Sequence, residues 1–487
     1  MPEMGLIKRF AVGLALLVAV GCGGQKAAPR PNIVFALADD WGWPDAGVYG
    51  DQVVQTPTFD RLARDGVLFD NAYISSPSCT PSRGAAITGQ DFWRLDAGAN
   101  LHSVWPSKFS EYPKMLAEAG YYVGSFRKGW GPGKHPGSPD NPAGKKYDTV
   151  DDFFAARPQG KPFCLWFGTS DPHRPYKKGA GAASGMDLSK VHMWPHYPDA
   201  KEVRGDIADY YWEVQRWDRE VGELLTRVER MGELENTLIL MTGDHGMPFP
   251  RGKGNLYDSG TRVPLAAMWL ARVPGGRTVT DFVSFTDFAP TFLDAAGLNV
   301  PAEMTGRSLL HLLLSGKSGR VEPARDHVFF GRERHVPGQE KPDMGGYPSR
   351  AIRTDDYLYI KNFRPDRWPA GTPNYDLATI KNAWLADCDN GPTKTYLWEH
   401  RNDPAVKKYY DLAFGKRPAE ELYDLTKDSG QMVNVAADPA YANIKRELAK
   451  RLMDELKATG DRRVTGSGDF YDQQEYLGGA PKWPGAK

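Results

Sequence analysis

Hydrophobic and polar positions between residues 31 and 314 follow two alternating patterns. Short apolar runs bounded by turn residues or carboxylates predict buried strands. These runs are Ile33–Ala38, Tyr122–Phe126, Phe163–Gly168, Thr237–Thr242 and Leu265–Leu270. Apolar residues at helical spacing predict helices at Ile207–Arg230, Phe59–Arg64, Tyr112–Ala119 and Phe288–Ala296. Strands that alternate with helices predict an α/β fold built on a large sheet with helices on its faces.

The pattern changes after about residue 325. Four short apolar stretches predict an antiparallel sheet at Val328–Phe330, Ala351–Arg353, Tyr357–Lys361 and Glu421–Leu425. A final helix is predicted from Ala440 to Ala458, whereas residues 366–416 have no clear period and predict a long loop. We therefore divide this part of the chain into a main domain at 31–324, a C-terminal α+β subdomain at 325–470 and a tail at 471–487.

The first 30 residues have the pattern of an export signal. Lys8 and Arg9 precede an apolar run from Phe10 to Val20, which is too short to span a bilayer. Small residues before Cys22 predict a lipoprotein-type signal peptide at 1–21, with lipid on Cys22 and a tether at 22–30; an ordinary secretory signal is the alternative. We expect an exported bacterial protein, periplasmic or on the cell surface, that touches a membrane only through this lipid.

Charge and cysteine content narrow the possibilities further. The 487 residues include 61 Lys plus Arg and 61 Asp plus Glu, so we expect no nucleic-acid partner. Cys164 lies in a predicted strand and Cys388 in a polar loop. We expect Cys164 to be a buried thiol, with a Cys164–Cys388 disulfide as the alternative in an oxidising compartment.

Polar side chains follow three predicted strands where each strand ends. Asp39-Asp40, Asp171-Pro172-His173 and Asp244-His245 come directly after them. Ligands of open α/β sheets bind at the carboxyl ends of strands, so these residues predict one shared site. Asp39, Asp40 and Asp244 are hard oxygen donors that suit Ca²⁺. His245 is a less usual Ca²⁺ ligand and could instead lie behind the ligands.

A reactive group is predicted in the segment Cys79-Thr80-Pro81-Ser82-Arg83. Small residues after it predict a helix that ends at Thr88-Gly89, so Cys79 lies at the helix N-terminus, which favours an anion. Arg83, one turn further on, adds a fixed positive charge. Lys128, His173 and Lys253 are further candidates for neutralising a sulfate or phosphate group, although each alone fits an ordinary surface charge.

These segments together resemble the type I, formylglycine-dependent sulfatases of the alkaline phosphatase superfamily. The matching motifs, in chain order, are Pro31-Asn32-Ile33-Val34, Asp39-Asp40-Trp41-Gly42, Thr56-Pro57-Thr58-Phe59-Asp60-Arg61-Leu62-Ala63, Cys79-Thr80-Pro81-Ser82-Arg83, Asp171-Pro172-His173, Gly243-Asp244-His245-Gly246, Gly260-Thr261-Arg262-Val263-Pro264 and Gly306-Arg307-Ser308-Leu309-Leu310. Segments resembling the heparan N-sulfatase (sulfamidase) branch are Met247-Pro248-Phe249-Pro250, Lys253-Gly254-Asn255-Leu256-Tyr257, Glu421-Leu422-Tyr423-Asp424-Leu425 and Asn434-Val435-Ala436.

The resemblance implies an alkaline-phosphatase-like fold, with a large, mostly parallel mixed sheet and a smaller C-terminal antiparallel sheet with a helix. It implies that a formylglycine-generating or anaerobic maturation enzyme oxidises Cys79 to formylglycine, whose hydrate attacks sulfur. The residues implied to hold Ca²⁺ are Asp39, Asp40, Cys79, Asp244 and His245. Arg83 and Lys128 would position the hydrate and sulfate, and His173 and Lys253 would contact sulfate and protonate the leaving group. The implied substrate is a sulfated carbohydrate, such as N-sulfoglucosamine of heparan-type glycans.

Two positions depart from the family pattern. Trp130 stands where relatives often have a histidine that helps to expel sulfate, and His135 is a candidate replacement. His245 stands where many relatives have asparagine. Arg334 and His335 are candidate sugar-binding residues. Two other functions stay open, namely a phosphate or phosphonate monoester hydrolase of the same superfamily and a glycan-binding relative without turnover.

Overall fold

The computed structural model describes residues 1–2 and 30–485. The predicted signal peptide, Cys22 and the tether up to residue 29 fall outside the described residues. Among the helices of residues 30–485, none combines the length and the apolar character needed to cross a bilayer.

Strands and helices alternate through the main domain, which ends before strand β13 at His327–Arg332, and the C-terminal subdomain contains the elements from β13 onwards. The strands are β1 Asn32–Ala38, β2 Val67–Phe69, β3 Ala72–Tyr73, β4 Ser103–Val104, β5 Tyr122–Phe126, β6 Gly133–Lys134, β7 Lys146–Tyr147, β8 Phe163–Gly168, β9 Thr237–Gly243, β10 Leu265–Met268, β11 Arg277–Val279, β12 Val283–Ser284, β13 His327–Arg332, β14 Ser349–Thr354, β15 Tyr357–Asn362 and β16 Glu420–Asp424. The helices are α1 Pro57–Asp65, α2 Cys79–Thr88, α3 Tyr112–Glu118, α4 Val150–Ala156, α5 Ala180–Ala183, α6 Lys201–Arg230, α7 Asp258–Thr261, α8 Phe288–Ala295, α9 Leu310–Leu314, α10 Pro392–Glu399, α11 Pro404–Phe414, α12 Ala442–Ala458, α13 Arg462–Thr465 and α14 Asp469–Asp472.

The main sheet has eight strands in the order β11-β2-β10-β9-β1-β8-β5-β7. Strands β9, β1, β8, β5 and β7 run parallel, and β10 runs antiparallel to both of its neighbours. All seven residues of β1 are buried because helices cover both faces of the sheet. The predicted α/β fold with a mixed, mostly parallel sheet is confirmed.

Two apolar cores lie on opposite faces of the sheet. Val34 and Ala36 of β1 belong to the core that holds Trp217 of α6, whereas Ile33 and Phe35 belong to the core that holds Phe292 of α8. Successive side chains of a strand point to opposite faces, so one short apolar run serves both cores. Helix α6 begins six residues before the predicted Ile207. The added residues are mostly polar, and Val203 is the one apolar side chain among them that continues the period.

The C-terminal subdomain contains an antiparallel four-stranded sheet, β13-β14-β15-β16. Helix α12 covers it with the buried side chains of Leu448, Leu452 and Leu456, which recur every four residues on one helix face. The predicted antiparallel sheet with a final helix is confirmed.

One prediction for the C-terminal half is wrong. Residues 366–416 are not one long loop, because α10 and α11 form within them, each with proline at its first position, where no helical N–H is lost. The described part of the predicted tail, residues 471–485, contacts the rest of the subdomain. The Tyr471 side chain is fully buried, and the Trp483 ring stacks on the Tyr375 ring with centroids 5.2 Å apart. Both segments therefore belong to the packed subdomain.

The cysteines of residues 30–485 form no disulfide. Cys164 lies in β8 as a buried thiol, as predicted, and Cys388 is a second buried thiol. The alternative Cys164–Cys388 disulfide is therefore wrong.

Candidate active site

Three adjacent parallel strands deliver polar residues to one edge of the sheet. Ala38 of β1 pairs with Gly243 of β9, and Leu37 pairs with Gly168 of β8. The chain therefore leaves all three strands at the same level. Two contacts tie these segments together: the Asp39 N–H donates to the Asp171 carbonyl at 3.0 Å, and the Asp40 N–H donates to Asp244 Oδ1 at 2.9 Å. The predicted meeting of these segments is thus present in the structure.

Helix α2 carries Cys79 to this edge. The helix begins at Cys79 after an extended Ser78, and Gly89 ends it with a positive φ of 64°. Every residue of α2 is buried. Cys79 Sγ lies 3.3 Å from His245 Nε2 and 3.6 Å from Asp39 Oδ1. A side chain at the first helical position is surrounded by backbone N–H groups and suits a group that develops negative charge.

Four side chains converge closely enough to bind one cation. One donor atom each from Asp39, Cys79, Asp244 and His245 lies within 4.8 Å of the others, and all four residues are buried. Asp40 Oδ1 lies 3.2 Å from His245 Nε2 and has no hydrogen-bond partner among residues 30–485. A buried carboxylate oxygen without a partner is costly unless a cation binds it. The residues present therefore fit a divalent cation.

Each of the three carboxylates also faces a basic side chain. Lys128 Nζ contacts both oxygens of Asp39 at 2.6 and 2.5 Å. The other two close pairs are Arg83 Nε with Asp244 Oδ2 at 2.7 Å, and Lys253 Nζ with Asp40 Oδ2 at 3.0 Å. Burial opposes ionisation of Asp39, but the nearby positive charges, Lys128 first, outweigh it and hold the pKa of Asp39 well below its ordinary value. These contacts keep Asp39 negatively charged at neutral pH.

Burial has the opposite consequence for the thiol. It raises the pKa of Cys79 above the ordinary range of a cysteine, and Lys128 only partly offsets the effect. A protonated thiol is a poor nucleophile. The unmodified cysteine is therefore a weak nucleophile despite its position at the helix N-terminus.

His173 faces the opening of the site. The imidazole donates from Nδ1 to the Arg174 carbonyl at 2.5 Å, which leaves Nε2 3.9 Å from Asp40 Oδ2. His173 lines a cavity of about 580 Å³ together with Asp39 and Lys128. When both ring nitrogens carry a proton, this arrangement presents the Nε2 proton to a molecule in the cavity.

The candidates His335, Arg334 and His135 lie in different surroundings. His335 lies next to the site, with Nδ1 2.8 Å from the Oγ of Ser78, the residue before α2. The Arg334 guanidinium donates to backbone carbonyls of residues 344, 472, 474 and 475, which fixes the C-terminal segment. These bonds occupy guanidinium donors of Arg334 within the protein, and sugar binding by Arg334 stays a prediction.

His135 is not among the residues that line this cavity. Its ring centroid lies 6.5 Å from that of Trp130. Trp130 is a core residue: its indole N–H donates to the Thr80 carbonyl at 3.2 Å, and its ring packs edge-on against Trp105. His135 therefore lies next to the residue that stands in place of the family's histidine, and its role as a replacement stays a prediction.

Sequence reasoning missed Asp389. Its Oδ2 lies 3.2 Å from Lys253 Nζ, and donor atoms of Asp40, His173 and Asp389 lie within 4.8 Å of one another. Asp389 lies between β15 and β16 in the segment predicted to be a loop, where no strand end or motif marked it. The acidic run Asp387-Cys388-Asp389 was the one available signal.

Comparison with known proteins agrees with this geometry. The sequence profile of the family described as Sulfatase matches residues 31–298, and the profile described as N-sulphoglucosamine sulphohydrolase, C-terminal, matches residues 243–382. The chain belongs to the sulfatase family.

Two curated relatives match over most of their length. An ulvan-active sulfatase of Formosa agariphila is 29% identical, with 89% of this chain and 81% of the relative covered. The human N-sulphoglucosamine sulphohydrolase is 28% identical, with 91% of each chain covered. A solved structure titled as a complex with its substrate D-glucosamine-2-N,6-O-disulfate superposes with a TM-score of 0.64 at 20% identity and covers 92% of this chain and all of that one. At that identity, the superposition establishes the shared fold.

Proposed function

We propose that this protein removes sulfate from a sulfated carbohydrate, and that N-sulfoglucosamine of heparan-type glycans is its substrate. The observation that carries the proposal is the convergence on Cys79 of a buried cation site and three basic side chains, Arg83, Lys128 and Lys253. Such a set of positive charges stabilises the negative charge that the sulfate oxygens and the leaving group carry in the transition state. The sulfated-sugar activities in the names of both relatives support the same class of substrate.

Two groups complete this site. A maturation enzyme would convert Cys79 to formylglycine, which when hydrated supplies the attacking hydroxyl. Asp39, Asp40, Asp244, His245 and position 79 would hold a divalent cation, for which Ca²⁺ is the family expectation and which when bound supplies positive charge next to the sulfate. The orphaned Asp40 Oδ1 and the close donor atoms support this ligand set.

Arg83 and Lys128 orient the reacting groups. Arg83 is fully buried and fixed by Asp244, so it holds the donor set in place. Lys128 has 23% of its side chain exposed, so its ammonium is reachable by a sulfate oxygen entering from the cavity. An ammonium that is already positioned stabilises charge on that oxygen without reorganisation.

Lys253 and His173 have different roles, one as a fixed positive charge and the other as a proton donor. Burial opposes the charge of Lys253, but Asp389 and Asp40 outweigh burial and raise the pKa of Lys253 well above its ordinary value. Lys253 therefore keeps its proton and acts as a fixed positive charge. His173 Nε2, held towards the opening by the Nδ1 hydrogen bond, gives its proton to the leaving oxygen or nitrogen.

Sulfate release from N-sulfoglucosamine, measured beside glucosamine 6-sulfate and a phosphate monoester, tests the proposal. We expect the sulfamate to be hydrolysed fastest, and the His173→Gln variant to lose at least about 100-fold in rate. Hydrolysis of the 6-sulfate alone would contradict the sulfamate assignment. Faster turnover of the phosphate monoester would overturn the sulfatase proposal.

We also propose that the protein is exported and anchored by lipid on Cys22. The support is the sequence pattern of the first 30 residues. Labelled palmitate supplied to a bacterium that expresses the protein should appear on the wild type and not on Cys22→Ser. Equal labelling of both proteins, or none on either, would contradict the anchor.

A further inference from the structure

Only a few charged groups of the site are reachable from outside. Within residues 30–485, Asp39, Asp40, Asp244, His245 and Arg83 have at most 3% of their side chains exposed, and Lys253 has 5%. Three charged or titratable side chains around them are more exposed: Lys128 at 23%, His173 at 34% and Asp389 at 21%. We call these three residues the mouth of the site. In the proposed function, sulfate binds next to the buried basic side chains and the cation site. The sugar that carries this sulfate then lies at the mouth.

Asp389 is the acidic residue of the mouth, and contacts with other residues of the protein fix its position. Its carboxylate is 3.2 Å from Lys253 Nζ. Oδ2 is the oxygen that faces Lys253, and it is buried. The exposed 21% of the side chain therefore includes the other oxygen, Oδ1, which can accept a hydrogen bond from a ligand. Lys253 alone does not use all the acceptor sites of a carboxylate.

Hydrogen bonds from a buried lysine fix the backbone around Asp389. Lys394 Nζ donates to the carbonyls of Trp384, Leu385 and Cys388 and to Asn390 Oδ1, at 2.7 to 3.1 Å. Next to it, Asp387 accepts from Arg332 Nη2 at 2.9 Å and from the Val336 N–H at 2.7 Å. A loop fixed by so many bonds presents Asp389 in one position, which is a requirement for recognition.

We infer that Asp389 binds the amino group of the sugar from which sulfate is removed. A donor atom of His173 and one of Asp389 lie within 4.8 Å of each other, so an atom protonated by His173 is within reach of Asp389. A sulfamate leaves as an amine, which becomes a cation in water, whereas a sulfate ester leaves as a neutral hydroxyl. A carboxylate next to a cationic amine gives a charge-assisted hydrogen bond, and it repels a second sulfate placed there. This inference rests on the proposed function and deepens it.

Binding measurements on the full-length protein separate this role from a structural one. Calorimetric titration would use three probes, glucosamine, N-acetylglucosamine and inorganic sulfate, with wild type, Asp389→Asn and the matched control Asp376→Asn. Asp376 is an exposed carboxylate of the same subdomain. We expect Asp389→Asn to weaken glucosamine binding by about 10- to 100-fold and to leave N-acetylglucosamine nearly unchanged. Sulfate should bind equally well or more tightly, because a negative charge near it is gone.

The binding measurements test the role of Asp389 separately from the proposed function. Weakening of sulfate and glucosamine together would mean that Asp389 only maintains the structure, and unchanged glucosamine binding would overturn its role in recognition. Turnover is a separate measurement: Asp389→Asn should lower the kcat/KM for N-sulfoglucosamine relative to that for glucosamine 6-sulfate by about 10-fold or more. If the wild type released no sulfate from either sugar, the proposed function would fail, whereas the binding result would still decide the role of Asp389.

Discussion

His245 Nε2 lies 3.2 Å from Asp40 Oδ1, while its other ring nitrogen, Nδ1, lies 3.1 Å from the Gly246 carbonyl. Because a carbonyl only accepts, Nδ1 carries the hydrogen and Nε2 of the neutral ring directs its lone pair at the carboxylate. Two acceptor atoms at this separation repel each other unless a cation binds both. The contact therefore supports His245 as a ligand of the proposed cation rather than as a residue behind the ligands.

A nitrogen donor should alter which metal the site prefers. Imidazole suits Mn²⁺ and later transition ions better than Ca²⁺, which favours oxygen. We expect His245→Asn to lower the affinity for Mn²⁺ relative to that for Ca²⁺ by at least about 10-fold. The measurement is thermal stabilisation of metal-stripped protein titrated with each ion, with the exposed His400→Asn as a control. An unchanged ratio would mean that His245 is not a ligand.

Replacing Lys128 by methionine should separate sulfate binding from cation binding. The ammonium contacts both oxygens of Asp39, and it is the strongest of the charges that lower the pKa of that carboxylate against the effect of burial. In Lys128→Met we expect sulfate to bind about 10- to 100-fold more weakly. The pKa of Asp39 should rise, so protons should displace the cation at a higher pH than in wild type. Calorimetry with sulfate and pH titration of metal-dependent stability check both, with exposed Lys178→Met as control.

Mutation of Cys79 tests the maturation of the site. Cys79→Ala should reduce sulfate release to the background of the assay, because the attacking group is gone, while the melting temperature should change little since only one sulfur atom is lost from the core. Mass spectrometry of wild-type protein from a host with a maturation enzyme should find formylglycine in the peptide that contains Cys79. An active protein in which that peptide retains the thiol would contradict this prediction.

Asp45 should make the stability of the fold depend on pH. Burial, assisted by Asp51, raises the pKa of Asp45 from 3.8 to about 8. The folded state therefore binds this proton more tightly than the unfolded state, so the contribution of Asp45 to stability is greatest below the ordinary pKa of a carboxylate and decreases as the pH rises towards 8. Asp45→Asn removes this dependence, and we expect its stability relative to wild type to be higher at pH 8 than at pH 5 by at least about 1 kcal/mol. Chemical unfolding at both pH values checks this, and parallel pH dependences would contradict it.

The elements that periodicity predicted were those in which one pattern extends over several turns or a whole strand. The strands β1, β8 and β9 and the helix α12 have long apolar patterns that only one secondary structure can bury. Helices α10 and α11 were missed because they are short and begin at prolines, so their start resembles a turn. His135 and Arg334 were assigned to the site by residue type, whereas their contacts in the structure, with the Trp130 ring and with backbone carbonyls, could not be read from that type.

The order of strands and helices, the motifs of the sulfatase family and the residues that follow the strand ends can be read from the sequence, because these are local properties of the chain. Which side chains meet depends on how the chain packs. The contact of Asp389 with Lys253 joins residues 136 positions apart in two subdomains, and no local pattern encodes such a distance. The physical reason is that a side chain acts through the partners that packing brings to it, and those partners come from the whole fold.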